Sequence, residues 1–233
     1  MISVCMATYN GEVYIKQQVE SILIQLGDSD ELIVSDDGSK DKTLDIVRSF
    51  ESSKIKILQG PQQGLVKNFE NAINAAKSDY IVLCDQDDIW LENKLDVFKL
   101  AFESGADLIV SDCYVVDANA KIINESFFSL RNSKPGLLSN LMKNSFLGCC
   151  MAFRASLIFK ILPFPKNIPM HDWWIGLIVS VYGNVVFINQ PLICYRRHGN
   201  NASPTGESSS FSLITQAVHR LILCFYLIRR YLK

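Results

Sequence analysis

At 233 residues, with 48% hydrophobic and 20% charged side chains, the chain suits one α/β domain with a substantial core and is too apolar to be disordered. A formal net charge of -1, with no basic stripe before the last few residues, excludes a nucleic-acid footprint. The seven cysteines lack metal-ligand spacing and sit mostly in apolar runs, Met1 leads into Ile2 to Met6 without a basic leader, and Leu221 to Ile228 is too short to span a bilayer; together these point to a cytoplasmic protein.

Ile2 to Met6 reads as a strand. The turn Ala7-Thr8-Tyr9-Asn10-Gly11 follows, with Asn10 or Gly11 capping a helix on which Val19, Ile22, Leu23 and Leu26 recur at helical spacing. Glu31 to Ser35 is a second strand with Asp36-Asp37-Gly38-Ser39 as its exit loop, and a helix from about Asp41 to Phe50 turns Leu44, Ile46 and Val47 inward. Ile55 to Leu58, a helix over Gly64 to Ala76, and the strand Tyr80 to Cys84 continue the alternation, which predicts right-handed crossovers and a parallel sheet. A helix from Trp90 to Phe102 and a strand from Asp107 to Asp112 come next. Val115 to Leu130 reads as irregular strands with a turn near Asp117 to Ala120, Leu137 to Lys143 as a short helix and Cys149 to Arg154 as a strand. His171 to Tyr182 is a helix with Trp174, Leu177, Ile178 and Val181 inward, and Val185 to Ile188 and Pro191 to Tyr195 are two last short strands.

The chemistry concentrates where Tyr80 to Cys84, a strand with no polar alternation, runs into Asp85-Gln86-Asp87-Asp88. Such a strand is covered on both faces, and ligands of open α/β sheets bind just past the carboxyl ends of such strands. Asp85 and Asp87, at i and i+2 around the strand end, can converge on one divalent ion, and oxygen ligands favour Mg²⁺ or Mn²⁺. The competing reading makes one Asp the cap of the helix from Ile89 onward. Neither Gly-x-Gly-x-x-Gly nor Gly-Lys-Ser/Thr occurs, so phosphate has to be held by metal instead of a backbone cradle. Asp36 or Asp37 can accept from an N–H on a base edge, or can serve only as a turn and cap.

Met6-Ala7-Thr8-Tyr9-Asn10-Gly11, Ser35-Asp36-Asp37-Gly38-Ser39 and Asp85-Gln86-Asp87-Asp88-Ile89-Trp90 resemble, in order and content, the family 2 glycosyltransferases, with the rhamnosyltransferase-like bacterial branch nearest. The resemblance extends through Gly148-Cys149-Cys150-Met151-Ala152, His171-Asp172-Trp173-Trp174 and Tyr195-Arg196-Arg197-His198-Gly199-Asn200-Asn201. It implies a GT-A fold, with a Rossmann-like, mostly parallel sheet, helices on both faces and a smaller mixed acceptor-side subregion. It further implies a nucleoside-diphosphate sugar donor (dTDP-rhamnose or a UDP-hexose), Mg²⁺ or Mn²⁺ at an Asp-x-Asp motif, and inversion at the anomeric carbon. Residue by residue, it puts Ala7, Thr8, Tyr9, Asn10, Glu12, Asp36, Lys67, Asp85, Gln86 and Arg197 at the nucleotide sugar, and Asp87, Asp85 and His198 at the metal. Asp172 becomes the general base for the acceptor hydroxyl, and His171, Trp173 and Trp174 lie on the acceptor side. Arg196 and Arg197 become diphosphate clamps, and Asp88 either accepts a hydrogen bond behind the metal or caps the Trp90 helix. Lys67 and Asn68 approach the ribose or form a solvated helix face, and a nucleotidyltransferase is the rival function.

Residues 1–212 are expected to form the GT-A domain, with 1–112 the nucleotide-sugar half and 113–212 the acceptor half, leaving 213–233 as an amphipathic helix. That helix carries Leu213, Ile214, Ala217, Val218, Leu221, Ile222, Phe225 and Ile228 on one stripe, with Arg220, Arg229, Arg230 and Lys233 off it. It either lies at the inner face of the cytoplasmic membrane, near a glycan or polyprenyl-linked acceptor, or covers the domain's own core.

Overall fold

A computed structural model describes residues 1–199, 201 and 212–232. Asn200, the Ser208 to Ser210 run and Lys233 lie outside the described residues. The first half alternates as expected: β1 (Ile2–Thr8), α1 (Ile15–Leu23), β2 (Glu31–Asp36), α2 (Thr43–Arg48), β3 (Ile55–Gln59), α3 (Leu65–Ala75) and β4 (Tyr80–Cys84). β1 pairs in parallel with β2 on one side and β4 on the other, and β3 extends the sheet beyond β2. The chain therefore jumps back across β1 between β3 and β4, which creates a switch point at the carboxyl ends of β1 and β4.

β1 is buried throughout because its alternation feeds two cores. Ile2, Val4 and Met6 pack with Ile15, Val19 and Ile22 of α1 on one face, and Cys5 and Ala7 pack with Phe69, Ala72 and Ile73 of α3 on the other. Helices on both faces are what allow a strand with no polar alternation.

The second half departs more from local pattern. Ile89–Trp90 form β5, and α4 (Lys94–Glu103) starts four residues later than expected for a helix at Trp90. The Trp90 helix is thus corrected: Ile89 and Trp90 pair antiparallel with Cys194 and Ile193, and the Trp90 N–H donates to Ser21 Oγ at 3.0 Å, so distant partners override the local helical spacing. β6 (Leu108–Val116) runs past Asp112, followed by β7 (Ile122–Asn124), α5 (Phe127–Arg131) and α6 (Leu137–Met142). One 3-10 turn over Gly148–Cys150 precedes β8 (Met151–Arg154), then come α7 (Ile158–Ile161) and α8 (His171–Tyr182).

The two expected final strands are one, β9 (Val185–Arg196). Opposite β6, Ile188 pairs with Ser111 and Pro191 with Asp112, so Asn189 and Gln190 bulge out and the proline is absorbed without ending the strand. β8 inserts antiparallel between β4 and β6, giving the order β3-β2-β1-β4-β8-β6-β9-β5 with β7 on the side of β6. The last helix, α9 (Leu213–Tyr231), is capped by Ser212, whose hydroxyl accepts from the Thr215 N–H.

Candidate active site

The exits of β1, β2 and β4 meet at the switch point and wall a cleft of about 630 Å³. Gln86 closes the first exit against the third: its Oε1 accepts from the Tyr9 N–H at 2.9 Å and its Nε2 donates to the Tyr9 carbonyl at 3.1 Å. Gly11 permits this approach, since a Cβ there would fall 2.3 Å from Gln86 Oε1. Asn10, at φ 48°, donates its N–H to Ser39 Oγ and accepts from the Lys40 N–H, while Glu12 accepts from the Lys42 N–H. Asn10 and Glu12 therefore bind the first exit to the second, and neither lines the cleft.

Ala7, Thr8, Tyr9, Asp85, Gln86, Asp87, His171 and Asp172 all reach the cleft wall. Asp36 does not. Its oxygens accept from Thr8 Oγ1 at 3.0 Å, the Gly38 N–H at 3.1 Å, the Ser39 N–H at 2.9 Å and Ser39 Oγ, and its neighbour Asp37 faces the cleft instead. Lys67 turns to Glu70 at 2.8 Å, and buried Asn68 lines the cleft while donating to the carbonyls of Thr8 and Ser35. Sequence left each pair open, Asp36 or Asp37 and Lys67 with Asn68, because adjacency does not say which of two neighbours points inward. Lys40, Gln62, Tyr195 and Asn201 also line the cleft, and only Tyr195 and Asn201 carried a signal, as the ends of one motif.

Asp85, Asp87 and Asp172 form an acidic group on the cleft, and Asp85 is the least compensated of the three. Among the described residues the Asp85 carboxylate accepts no hydrogen bond, and burial, then Asp87 and Asp172, push it up to about 8. The opposing cation is Lys94, fully buried, donating to the Cys149 carbonyl at 2.8 Å and lying 4.4 Å from the centre of the Trp90 ring. Nothing in the sequence pattern marked Lys94, which reads as an ordinary helix residue.

Asp87 Oδ2 lies 2.8 Å from His198 Nε2, which stacks on Tyr14 at 4.9 Å, so residues 111 apart in sequence are brought together. Two donor sets suit a cation differently. Asp85, Asp88 and Cys149 place ligand atoms within 4.8 Å of one another. Yet Asp88 and Cys149 are fully buried, and burial holds the Cys149 thiol well above its ordinary value, which leaves a protonated sulfur that a hard ion disfavours. Asp85 and Asp87 offer carboxylate oxygens at the cleft, where a hard ion such as Mg²⁺ or Mn²⁺ would relieve their repulsion, while His198, bonded to Asp87, does not line the cleft and does not form with them a set of ligand atoms as close as the first.

Asp88 accepts the Arg196 N–H at 2.8 Å and caps no helix. Arg196, expected on the diphosphate, is corrected: buried, it donates to the carbonyls of Asp87 and Ala118 and to Gln17 Oε1, which ties the end of β9 to the loop after β4. Arg197 is half-buried, donates to the Tyr195 hydroxyl at 3.2 Å and does not line the cleft.

Asp172 opens α8. Its Oδ2 accepts from the Gly148 N–H at 3.1 Å, its Oδ1 from the Trp173 N–H, and burial, against those bonds, raises its pKa to about 6. A Cβ on Gly148 would sit 3.1 Å from His171 Nε2, so this approach favours glycine. His171 is buried, stacks on Phe69 at 3.9 Å and, among the described residues, has no partner for either ring nitrogen; burial lowers its pKa to about 3, so it is neutral and makes no bond to Asp172. Trp174 is in the core, as its helical spacing gave it and not on the acceptor side as the resemblance implied: it is fully buried and donates to the Ile161 carbonyl. Trp173, half-buried, donates to the Asn140 carbonyl on α6 and does not line the cleft.

A family model described as glycosyl transferase family 2 matches residues 3–162. The chain belongs to glycosyl transferase family 2. This glycosyltransferase is 28% identical, over 88% of its length and 75% of the relative's, to the dTDP-rhamnosyl transferase RfbG of Shigella flexneri. It is 27% identical, over 83% of its length and 75% of the relative's, to the UDP-Glc:alpha-D-GlcNAc-diphosphoundecaprenol beta-1,3-glucosyltransferase WfgD of Escherichia coli. A crystal structure of S. aureus TarS in complex with UDP-GlcNAc superposes with a TM-score of 0.72 at 20% identity, covering 95% of this chain and 65% of that one. The fold is that of the GT-A enzymes, and the nucleotidyltransferase alternative is not favoured.

Proposed function

We propose that this family 2 enzyme moves a sugar, with inversion, from dTDP-rhamnose or a UDP-hexose to a glycan acceptor carried on a polyprenyl diphosphate, using Mg²⁺ or Mn²⁺. The observation that carries it is the grouping of Asp85, Asp87 and Asp172 on one cleft, with His198 2.8 Å from Asp87. The donors and the lipid-linked acceptor are those named for RfbG and WfgD, and they support the reading by similarity. On this reading residues 1–112 form the donor half and 113–212 the acceptor half.

Thr8, Tyr9, Asp37 and Asn68 line the end of the cleft where base and ribose would sit, with Asp36 holding the loop. Asp87, His198 and Asp85 would hold the ion, which supplies positive charge against the departing diphosphate. Asp172 faces the acceptor hydroxyl. That oxygen forms the new bond to C1 as the bond from C1 to the diphosphate oxygen breaks on the opposite side, and the hydroxyl proton passes to Asp172. A carboxylate raised to about 6 is still ionised near neutral pH and is basic enough to take that proton. His171, neutral and tight against Gly148, bounds the space beside the base.

The test is transfer from a panel of sugar nucleotides to a polyprenyl-diphosphate-linked GlcNAc acceptor with Mn²⁺, with the new linkage read by NMR. An anomeric configuration opposite to the donor's is expected. Retention, or release of nucleoside monophosphate, would overturn the assignment.

A further inference from the structure

The net charge of -1 conceals a partition. Residues 1–125 carry 22 acidic and 11 basic side chains, and residues 126–233 carry 2 acidic and 12 basic. Charge asymmetry of this size between halves of one chain points to a polyanionic partner for the basic half.

The basic half also presents an apolar face. The stripe on α9 faces away from the domain: Leu213, Leu221, Phe225 and Ile228 are 83%, 69%, 58% and 61% exposed, while fully buried Leu223 packs inward. Two of the arginines off this stripe turn to the domain. Arg220 donates to the Met142 carbonyl at the end of α6, and Arg230 to the carbonyls of Leu162 and Pro163, so these cations pin α9 with its apolar side outward. Leu138 and Met142 of α6 are exposed as well. Lys166 shares a shallow cavity of about 300 Å³ with Leu221 and Phe225, Lys143 follows Met142, and Arg229 is exposed on α9 itself.

We propose that this face, α9 with the exposed apolar side chains of α6, docks on an anionic phospholipid bilayer with α9 lying in the interface. Apolar side chains rimmed by cations, without an acidic residue anywhere in residues 212–233, match a lipid surface: acyl chains take the stripe and headgroup phosphates take Lys143, Lys166 and Arg229. A second copy of the chain would bring like charges together. A nucleic acid would leave the leucines and Phe225 exposed.

The docking stands on the surface alone; its link to a lipid-borne acceptor rests on the proposed function. That link has a structural route, from Asp172 through Trp173 to the Asn140 carbonyl on α6, and from α6 through Met142 to Arg220 on α9.

The experiment is co-sedimentation of the full chain with phosphatidylcholine vesicles, with and without phosphatidylglycerol, across a salt series. Binding to the anionic vesicles alone, weakened by salt, is expected. Lys166→Gln and Arg229→Gln should each weaken it about fivefold, and Leu221→Glu with Phe225→Glu should abolish it. Should the double glutamate variant fail to fold by circular dichroism, the two charge variants decide. Equal binding to both vesicle types, binding unaffected by either charge variant, or no vesicle binding at all overturns the proposal; a dimer by light scattering would then assign the face to a second copy, and binding to a DNA duplex would assign it to nucleic acid. Sugar-nucleotide affinity, read by calorimetry in the same variants, should be unchanged, so loss of docking is distinguished from failure of the donor site.

Discussion

Two acidic strand exits, those of β2 and β4, flank the exit of β1, and they differ in what satisfies them. Asp36 and Asp37 are filled from within: Asp36 by Thr8, Gly38 and Ser39, and Asp37 by the N–H groups of Gln62 and Gly64 at 2.6 and 2.8 Å. Asp85 and Asp87 accept from no backbone N–H among the described residues: Asp85 accepts nothing, Asp87 meets only the side chains of His198 and Asn201, and burial, then the charges of Asp87 and Asp172, push Asp85 up. A carboxylate with a full set of backbone donors is a scaffold, whereas carboxylates crowded together without them require a cation. Similar sequence at two loops thus serves opposite purposes, and only the supply of donors separates them.

The largest effect should come from Asp87→Ala. It removes the residue bonded to His198, and both Mn²⁺-dependent donor binding and transfer should fall below detection in calorimetry and product assays. Donor affinity close to wild type would mean that the crowded exit is not the metal loop.

Asp172→Asn keeps a similar shape and loses the proton acceptor. Turnover should fall by roughly 10² to 10⁴ while donor affinity holds. A change of only a few-fold would leave Asp172 as the acid of the first turn of α8 and nothing more.

The pH profile sharpens the same point. Because the folded-state pKa of Asp172 is raised from 3.8 to about 6, the active carboxylate form is lost as pH falls through about 6, and kcat/KM should decline there. The same raised value means the folded protein holds this proton more tightly than the unfolded chain, so the stability the protonated group contributes is fully present below about 3.8 and is lost as pH rises from there through about 6. The decline should vanish from the residual activity of Asp172→Asn.

At the filled exit, Asp36→Ala should act on stability. It strands the N–H groups of Gly38 and Ser39, at a cost of about 1–3 kcal/mol for each group left buried and unpaired, to be read as a lower Tm. A collapse of donor affinity with unchanged Tm would reverse the contrast between the loops. The smallest effect is expected from Lys67→Ala, since Lys67 pairs with Glu70 away from the cleft; transfer rates should stay within about twofold, in keeping with the small worth of partly exposed ion pairs.

Much of the site was legible because the nucleotide-binding half is built from local units. Each strand ends where its apolar run ends, each helix repeats every three to four residues, and a parallel sheet delivers the exits of β1, β2 and β4 to one edge, so Thr8, Tyr9, Asp85, Asp87 and Asp172 could be named from pattern, chemistry and resemblance. Tertiary structure decided what depends on partners far away in sequence. Ile89 and Trp90 became a strand because β9 pairs with them, and Arg196 bonds the carbonyls of Asp87 and Ala118 because β9 ends beneath the loop after β4. It also chose Asp37 over Asp36 and Asn68 over Lys67, and turned the stripe of α9 outward. Periodicity says which residues share a face. Which face is covered, and which carboxylate is already satisfied, depends on donors and packing surfaces that the chain brings together only on folding.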